Sequence, residues 1–138
     1  MTTPNQLLWK EEYSVKVKEI DEQHKILFLT INNLIKEINT MPSQEKVKEI
    51  VGEIVKYKSD HFATEEKYFK LFNYEEAELH IQAHAQFASS LQELIKKFGD
   101  DTIGFSFALV DFLENWLIDH LMNMDHRYIK CFTEHGLT

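Results

Sequence analysis

Apolar residues recur at alternating spacings of four and three in four separate stretches of the chain, the period of a helix that buries one stripe against its neighbours. The first stretch, roughly 19 to 39, carries Ile20, His24, Leu27, Ile31, Leu34 and Ile38. It breaks at Thr40-Met41-Pro42-Ser43, because a proline disfavours helical geometry in the residue before it. The second, roughly 43 to 71, carries Ile50, Ile54, Tyr57, His61 and Thr64, with Glu65 beside the last. The third follows Phe72, where Asn73 and Glu76 have the spacing of a capping box, and runs through His80, His84, Phe87, Leu91, Leu94 and Phe98 to a natural stop at Gly99. The fourth, roughly 105 to 129, carries Val110, Leu113, Leu117, His120 and Met124, with Asp125 next in line. Four amphipathic segments with short connections predict an all-α fold, an up-down-up-down antiparallel four-helix bundle.

Residues 1–18 precede the first stripe and contain Leu7, Leu8, Trp9, Tyr13 and Val15, too apolar for a free tail. They are expected to form an extended N-terminal arm packed on the bundle, so that residues 1–138 make a single domain. Only 4 Gly and 2 Pro among 138 residues agree with helices rather than a turn-rich β fold. A net charge of -8 leaves no basic stripe to displace counterions from a phosphate backbone, which argues against nucleic acid as a partner. No run approaches the ~18 apolar residues of a membrane span, and the first residues lack a basic segment followed by an apolar one. With Cys131 as the one cysteine, an intrachain disulfide and a thiolate cluster are both excluded, and a cytoplasmic location is expected.

The histidines change this picture. His24, His61, His80, His84 and His120 stand where the stripes call for Leu or Ile, and every stretch contributes at least one. Buried imidazoles need partners for their ring nitrogens, and buried Glu65 and Asp125 carboxylates cost several kcal/mol each without a compensating cation. A shared metal centre satisfies all seven demands together, and the lack of thiolates turns the choice away from structural zinc. Residues four apart share a helix face, so His80 with His84, and His61 with Glu65, reach one centre. Asp125 follows His120 by five, about 140° round an ideal helix, and needs a local irregularity or a bridging position. Any one of these residues is unremarkable as a packed histidine or a solvated acid; their coincidence on four stripes points to the metal. His126 and His135 fall off the stripes and are expected at the surface.

The series IDEQHK with His24, HFATE with His61 and Glu65, HIQAH with His80 and His84, and WLIDHLMNMD with His120 and Asp125 resembles the hemerythrin family over nearly the whole chain. The Trp9 and Tyr13 segment ahead of IDEQHK is similar to that family's single-domain bacterial branch. The resemblance implies two iron ions in a non-haem, oxo- or hydroxo-bridged centre. His80, His84 and His120 would bind one iron, His24 and His61 the other, and Glu65 and Asp125 would bridge them. With one imidazole fewer, the iron of His24 and His61 is the one expected to take dioxygen. Trp116 and Leu117 resemble the family's apolar dioxygen pocket wall, to which Leu27 and Phe28 can add.

The function implied is reversible dioxygen binding for storage, delivery or sensing, without catalytic turnover, in a monomer that serves an oxygen-consuming enzyme. The alternative is a di-iron enzyme or repair protein acting on peroxide, nitric oxide or iron. No histidine follows a glutamate by three residues, so the paired ligands of ferritin-like oxidases are missing. A sensory domain within a longer chain and a metal-free bundle with packed histidines are the remaining readings.

Overall fold

Five α-helices form in the computed structural model, which describes residues 5–138: α1 (Lys18–Asn39), α2 (Gln44–Leu71), α3 (Ala77–Phe98), α4 (Thr102–Asp119) and α5 (Ile129–Glu134). Among the described residues there is no strand. Residues 1–4, where the expected arm begins, lie outside the described residues. Each of the four long helices packs on its chain neighbours and α4 closes back on α1, the ring of an antiparallel four-helix bundle. The stripes read from the sequence face inward: Ile20, Leu27, Ile31 and Leu34 of α1, Ile54 of α2, Phe87 and Leu91 of α3, and Leu109, Leu113 and Leu117 of α4 are buried. Each such side chain contributes about 1.5–3 kcal/mol relative to its exposed state.

The connections carry local signals. Ser43 caps α2 by accepting a hydrogen bond from the Lys46 amide at 3.2 Å, worth about 1 kcal/mol. Gly99, at φ 51°, ends α3 in backbone that a side chain disfavours. The capping box expected at Asn73 does not form. Asn73 has φ 51° and belongs to the turn that ends α2, where the Tyr74 amide donates to the Phe69 carbonyl at 2.9 Å. The residue that precedes α3 is Glu76, with no side-chain cap. Likewise α4 starts a turn earlier than the apolar stripe, because the Asp101 carboxylate accepts from the Gly104 amide at 3.0 Å.

The fourth stretch is also not one helix. At His120–Met124 the backbone widens into a π turn, in which the Asp125 amide donates to the His120 carbonyl five residues back. It then tightens through a 3-10 turn at Asp125–Tyr128 before α5. The wider turn places Asp125 under His120 and moves Met124, expected on the stripe, to a half-buried position.

Residues 5–17 pass along α1. The Leu7 amide donates to Asn32 Oδ1 at 2.8 Å, and Asn32 Nδ2 donates to the Leu7 carbonyl at 3.0 Å. Trp9 and Tyr13 pack on Phe28 at 5.5 Å between ring centroids. His126, expected at the surface, is half-buried: its Nδ1 lies 2.9 Å from the Leu121 carbonyl and its Nε2 3.2 Å from the Ser14 carbonyl. It therefore ties the N-terminal segment to the π turn. His135 is exposed, as expected, and stacks on Phe72.

Candidate metal centre

The end of the bundle at which α1 and α3 begin and α2 and α4 finish holds the polar cluster. His24 comes from α1, His61 and Glu65 from α2, His80 and His84 from α3, and His120 and Asp125 from the π turn and its end. All seven are at least 96 % buried. One set of donor atoms, from Glu65, His80, His84 and His120, converges within 4.8 Å, and a second set, from His24, His61, Glu65 and Asp125, does the same. Glu65 belongs to both. Asp125 also reaches across: its Oδ2 is 3.0 Å from His24 Nε2, and its Oδ1 is 3.1 Å from both His80 Nε2 and His120 Nε2. Glu65 Oε1 lies 3.2 Å from His61 Nε2 and 3.0 Å from His84 Nε2.

Apart from His84 Nε2 and Glu65 Oε1, which are hydrogen-bonded, these approaches are close but poorly aimed at one another. His24 Nε2, His61 Nε2, Glu65 Oε2 and Asp125 Oδ1 are buried without a hydrogen-bond partner, although a charge-bearing neighbour stands near. His80 and His120 bring their Nε2 atoms to 3.1 Å of each other, so that one ring must turn its proton toward the other's lone pair unless a cation takes both lone pairs. Converging, unsatisfied donor atoms in a dry site are costly for a metal-free core and are what a cation would satisfy. The donor chemistry of five imidazoles and two carboxylates without thiolate fits iron.

Two of the outer nitrogens find protein partners, whereas Nδ1 of His24 and of His80 is buried without one. His61 Nδ1 donates to Gln23 Oε1 at 2.7 Å, and Gln23 Nε2 in turn donates to Thr64 Oγ1 at 2.9 Å. His84 Nδ1 donates to Glu66 Oε2 at 2.9 Å. Each bond places a proton on Nδ1 and makes Nε2 the inward nitrogen, the orientation a metal ligand requires. Burial by itself favours the neutral acids, but the imidazoles of His61, His80 and His84 hold the Glu65 carboxyl well below the usual carboxylate range. Asp125 is held low in the same way, against burial and the repulsion of Glu65, by His120 and His24. Burial pushes His61 down, toward its neutral form. At His80 burial acts in the same sense, yet the adjacent Asp125 and Glu65 carboxylates raise it to about 9. The site thus keeps two anions away from water, with imidazoles aimed at them.

The family model for the hemerythrin HHE cation binding domain matches residues 15–132. The chain belongs to the hemerythrin family. Among its relatives, a bacteriohemerythrin of Clostridium acetobutylicum is 27% identical over 126 residues, covering 88% of this chain and 98% of that one. A hemerythrin-like protein of Naegleria gruberi is 31% identical over 127 residues, 92% of this chain and 94% of the relative. A myohemerythrin of Theromyzon tessulatum is 27% identical over 125 residues, 91% and 92% of the two chains. The hemerythrin match begins at Val15, the first buried residue of the N-terminal segment, and ends at Phe132 of α5, so it spans the whole cluster.

Around the cluster each imidazole but one leans on an aromatic ring. Tyr57 stacks on His61 at 5.1 Å, Phe62 on His84 at 3.6 Å, and Trp116 on His120 at 4.3 Å, while Phe69 packs on His80 at 4.8 Å. His24 instead meets His61 edge-on at 4.6 Å. Of the four residues named from the sequence as pocket walls, Leu27, Phe28 and Leu117 are buried and Trp116 is half-buried. Trp116 also touches Phe62 and Phe87, which joins α2, α3 and α4 above His84 and His120. Gln23, Phe62, Glu66 and Tyr128 escaped the sequence reading as site residues. Gln23 precedes His24, Phe62 follows His61 and Glu66 follows Glu65, so each carried a signal only as the chain neighbour of a stripe residue.

Proposed function

We propose that this chain binds dioxygen reversibly at a di-iron centre held by His24, His61, Glu65, His80, His84, His120 and Asp125. The observation that carries the reading is the pair of buried donor sets that share Glu65, in which the inward Nε2 atoms of His24 and His61, Glu65 Oε2 and Asp125 Oδ1 meet no hydrogen-bond partner. When bound, the two ferrous ions supply the electrons that dioxygen takes up on binding and returns on release.

The chain's own residues do the rest. His80, His84 and His120 stand on one side and His24 and His61 on the other, with both carboxylates reaching each side. The tally leaves the side of His24 and His61 one imidazole short, and hence one position free for an external ligand. Gln23 and Glu66 hold His61 and His84 in the required orientation and fix their planes. Leu27, Phe28, Trp116 and Leu117 exclude water, which protects a bound ligand from protons and makes release the favoured fate. Storage or delivery to an oxygen-consuming enzyme, without turnover, is the role this chemistry suits.

The test is to load the protein anaerobically with ferrous iron, count the metal, admit air and remove it again while the visible spectrum is followed. Reversible binding gives two irons per chain and a charge-transfer band that vanishes on deoxygenation. Rapid one-way conversion to the ferric protein would instead assign the chain to the oxidising di-iron enzymes.

A further inference from the structure

Two phenols are buried at the cluster with hydroxyls that meet no hydrogen-bond partner, Tyr57 and Tyr128. They differ in surroundings. Tyr128 stacks on His80, on the side of three imidazoles. Tyr57 lies one helical turn before His61 and stacks on that ring with only 16° between planes, on the side that is one imidazole short. It is 5% exposed. A phenylalanine would fill the same space without the cost of a lone buried hydroxyl. A phenol keeps its proton at neutral pH, so Tyr57 stands beside His61 as a hydrogen-bond donor with no acceptor of its own.

The position is also reachable. A groove of about 550 Å³ between α1 and α2 opens among Ile26, Leu29, Lys56 and Asp60, and Tyr57 and His61 form its inner end. Tyr57 thus stands between this groove and the side of the cluster where the tally of imidazoles leaves room for a ligand.

We propose that the Tyr57 hydroxyl donates a hydrogen bond to the small external ligand bound beside His24 and His61, and that it selects for ligands with an anionic or strongly electron-rich end. The proposal rests on the di-iron reading above. It makes Tyr57 a binding residue for dioxygen and for small anions such as azide, and it gives the orphaned hydroxyl its partner.

The experiment compares the unaltered protein with Tyr57→Phe and Tyr128→Phe. Iron per chain is measured first, then each diferric protein is titrated with azide and followed by its charge-transfer absorption. Urea unfolding of the metal-free proteins is run alongside. Tyr57→Phe should keep two irons and bind azide about tenfold more weakly, the low end for a hydrogen bond to a charged group. Its metal-free form should unfold at the same urea concentration or a higher one, because no protein partner is lost. Tyr128→Phe should bind azide within about twofold of the unaltered protein. Equal azide affinity in Tyr57→Phe overturns the proposal, as does an equal loss in both variants, which would signal a loosened pocket. A Tyr57→Phe protein that loses iron or unfolds early shows a structural hydroxyl and overturns it too. Failure of the unaltered protein to take up iron would remove the di-iron reading itself, a separate result visible before any azide is added.

Discussion

Replacing Gln23 by alanine should weaken one metal position and spare the other. Gln23 Oε1 accepts the His61 Nδ1 proton at 2.7 Å, and Gln23 is itself held by its bond to Thr64 Oγ1, which donates to the Asp60 carbonyl at 2.9 Å. The whole chain of bonds serves to fix one imidazole. Without it, a ring that is 99 % buried carries an unpaired N–H, a cost of about 1–3 kcal/mol, and it can turn or take the other tautomer. Loss of such a partner costs roughly 10–100-fold in metal affinity, about 1.4–2.7 kcal/mol, and here it falls on the position of His24 and His61. Glu66→Gln probes the opposite side through His84, and should sit at the low end of the range. The Glu66 side chain is 38% exposed, so water and the remaining amide oxygen compensate in part. The assay is a ferrous iron titration under nitrogen against a competing chelator, resolved into two dissociation constants. Gln23→Ala should raise one of them at least tenfold and leave the other within about threefold. Equal weakening of both, or of neither, would refute the assignment of His61 to a separate position.

Leu117 is 1% exposed on the turn before His120, and Leu117→Ala should cost about 2–5 kcal/mol in stability while admitting water near the centre. Its oxygenated form should convert to the ferric one several-fold faster, and an unchanged rate would remove Leu117 from the pocket wall. Chelation of the iron should lower the thermal midpoint by roughly 10–15 °C, as expected when about 4 kcal/mol of ligand-linked stability is lost from a chain of this size, measured by circular dichroism with and without chelator. For the metal-free protein, His80 is raised from 6.5 to about 9. Its contribution is therefore complete below pH 6.5 and lost as the pH rises through about 9. Glu65, lowered well below 4.5, contributes above that value and its share is lost as the pH falls. Urea midpoints should accordingly decline as the pH rises from about 7 to 9 and again as it falls below about 4.5, and a midpoint still rising at pH 9 would contradict the His80 environment.

The stripes were legible because burial imposes a period that composition cannot hide, and five histidines on those stripes announced a site before any helix had been placed. Three expectations fared differently for local reasons. Asn73 has the residues of a capping box around it, yet the chain needs a left-handed residue there to leave α2, and the turn took precedence. Asp101 extended α4 beyond its apolar stripe, since a cap acts on backbone amides and not on the core face. His126 reads as a surface residue from its helical position. The π turn displaces it and lets it hold the Ser14 and Leu121 carbonyls instead.

By itself the sequence determined the four apolar stripes, the seven polar residues among them and the oddity of a five-residue step from His120 to Asp125, because each is a property of spacing along one chain. Only the tertiary structure decided that this step is absorbed by a π turn, that Gln23 and Glu66 orient two imidazoles, and that Tyr57 and Tyr128 bring unpartnered hydroxyls to opposite sides of the cluster. Those facts depend on how helices meet. A side chain's partner across a bundle is set by the rotation and crossing of two helices, and spacing within either one carries no record of it.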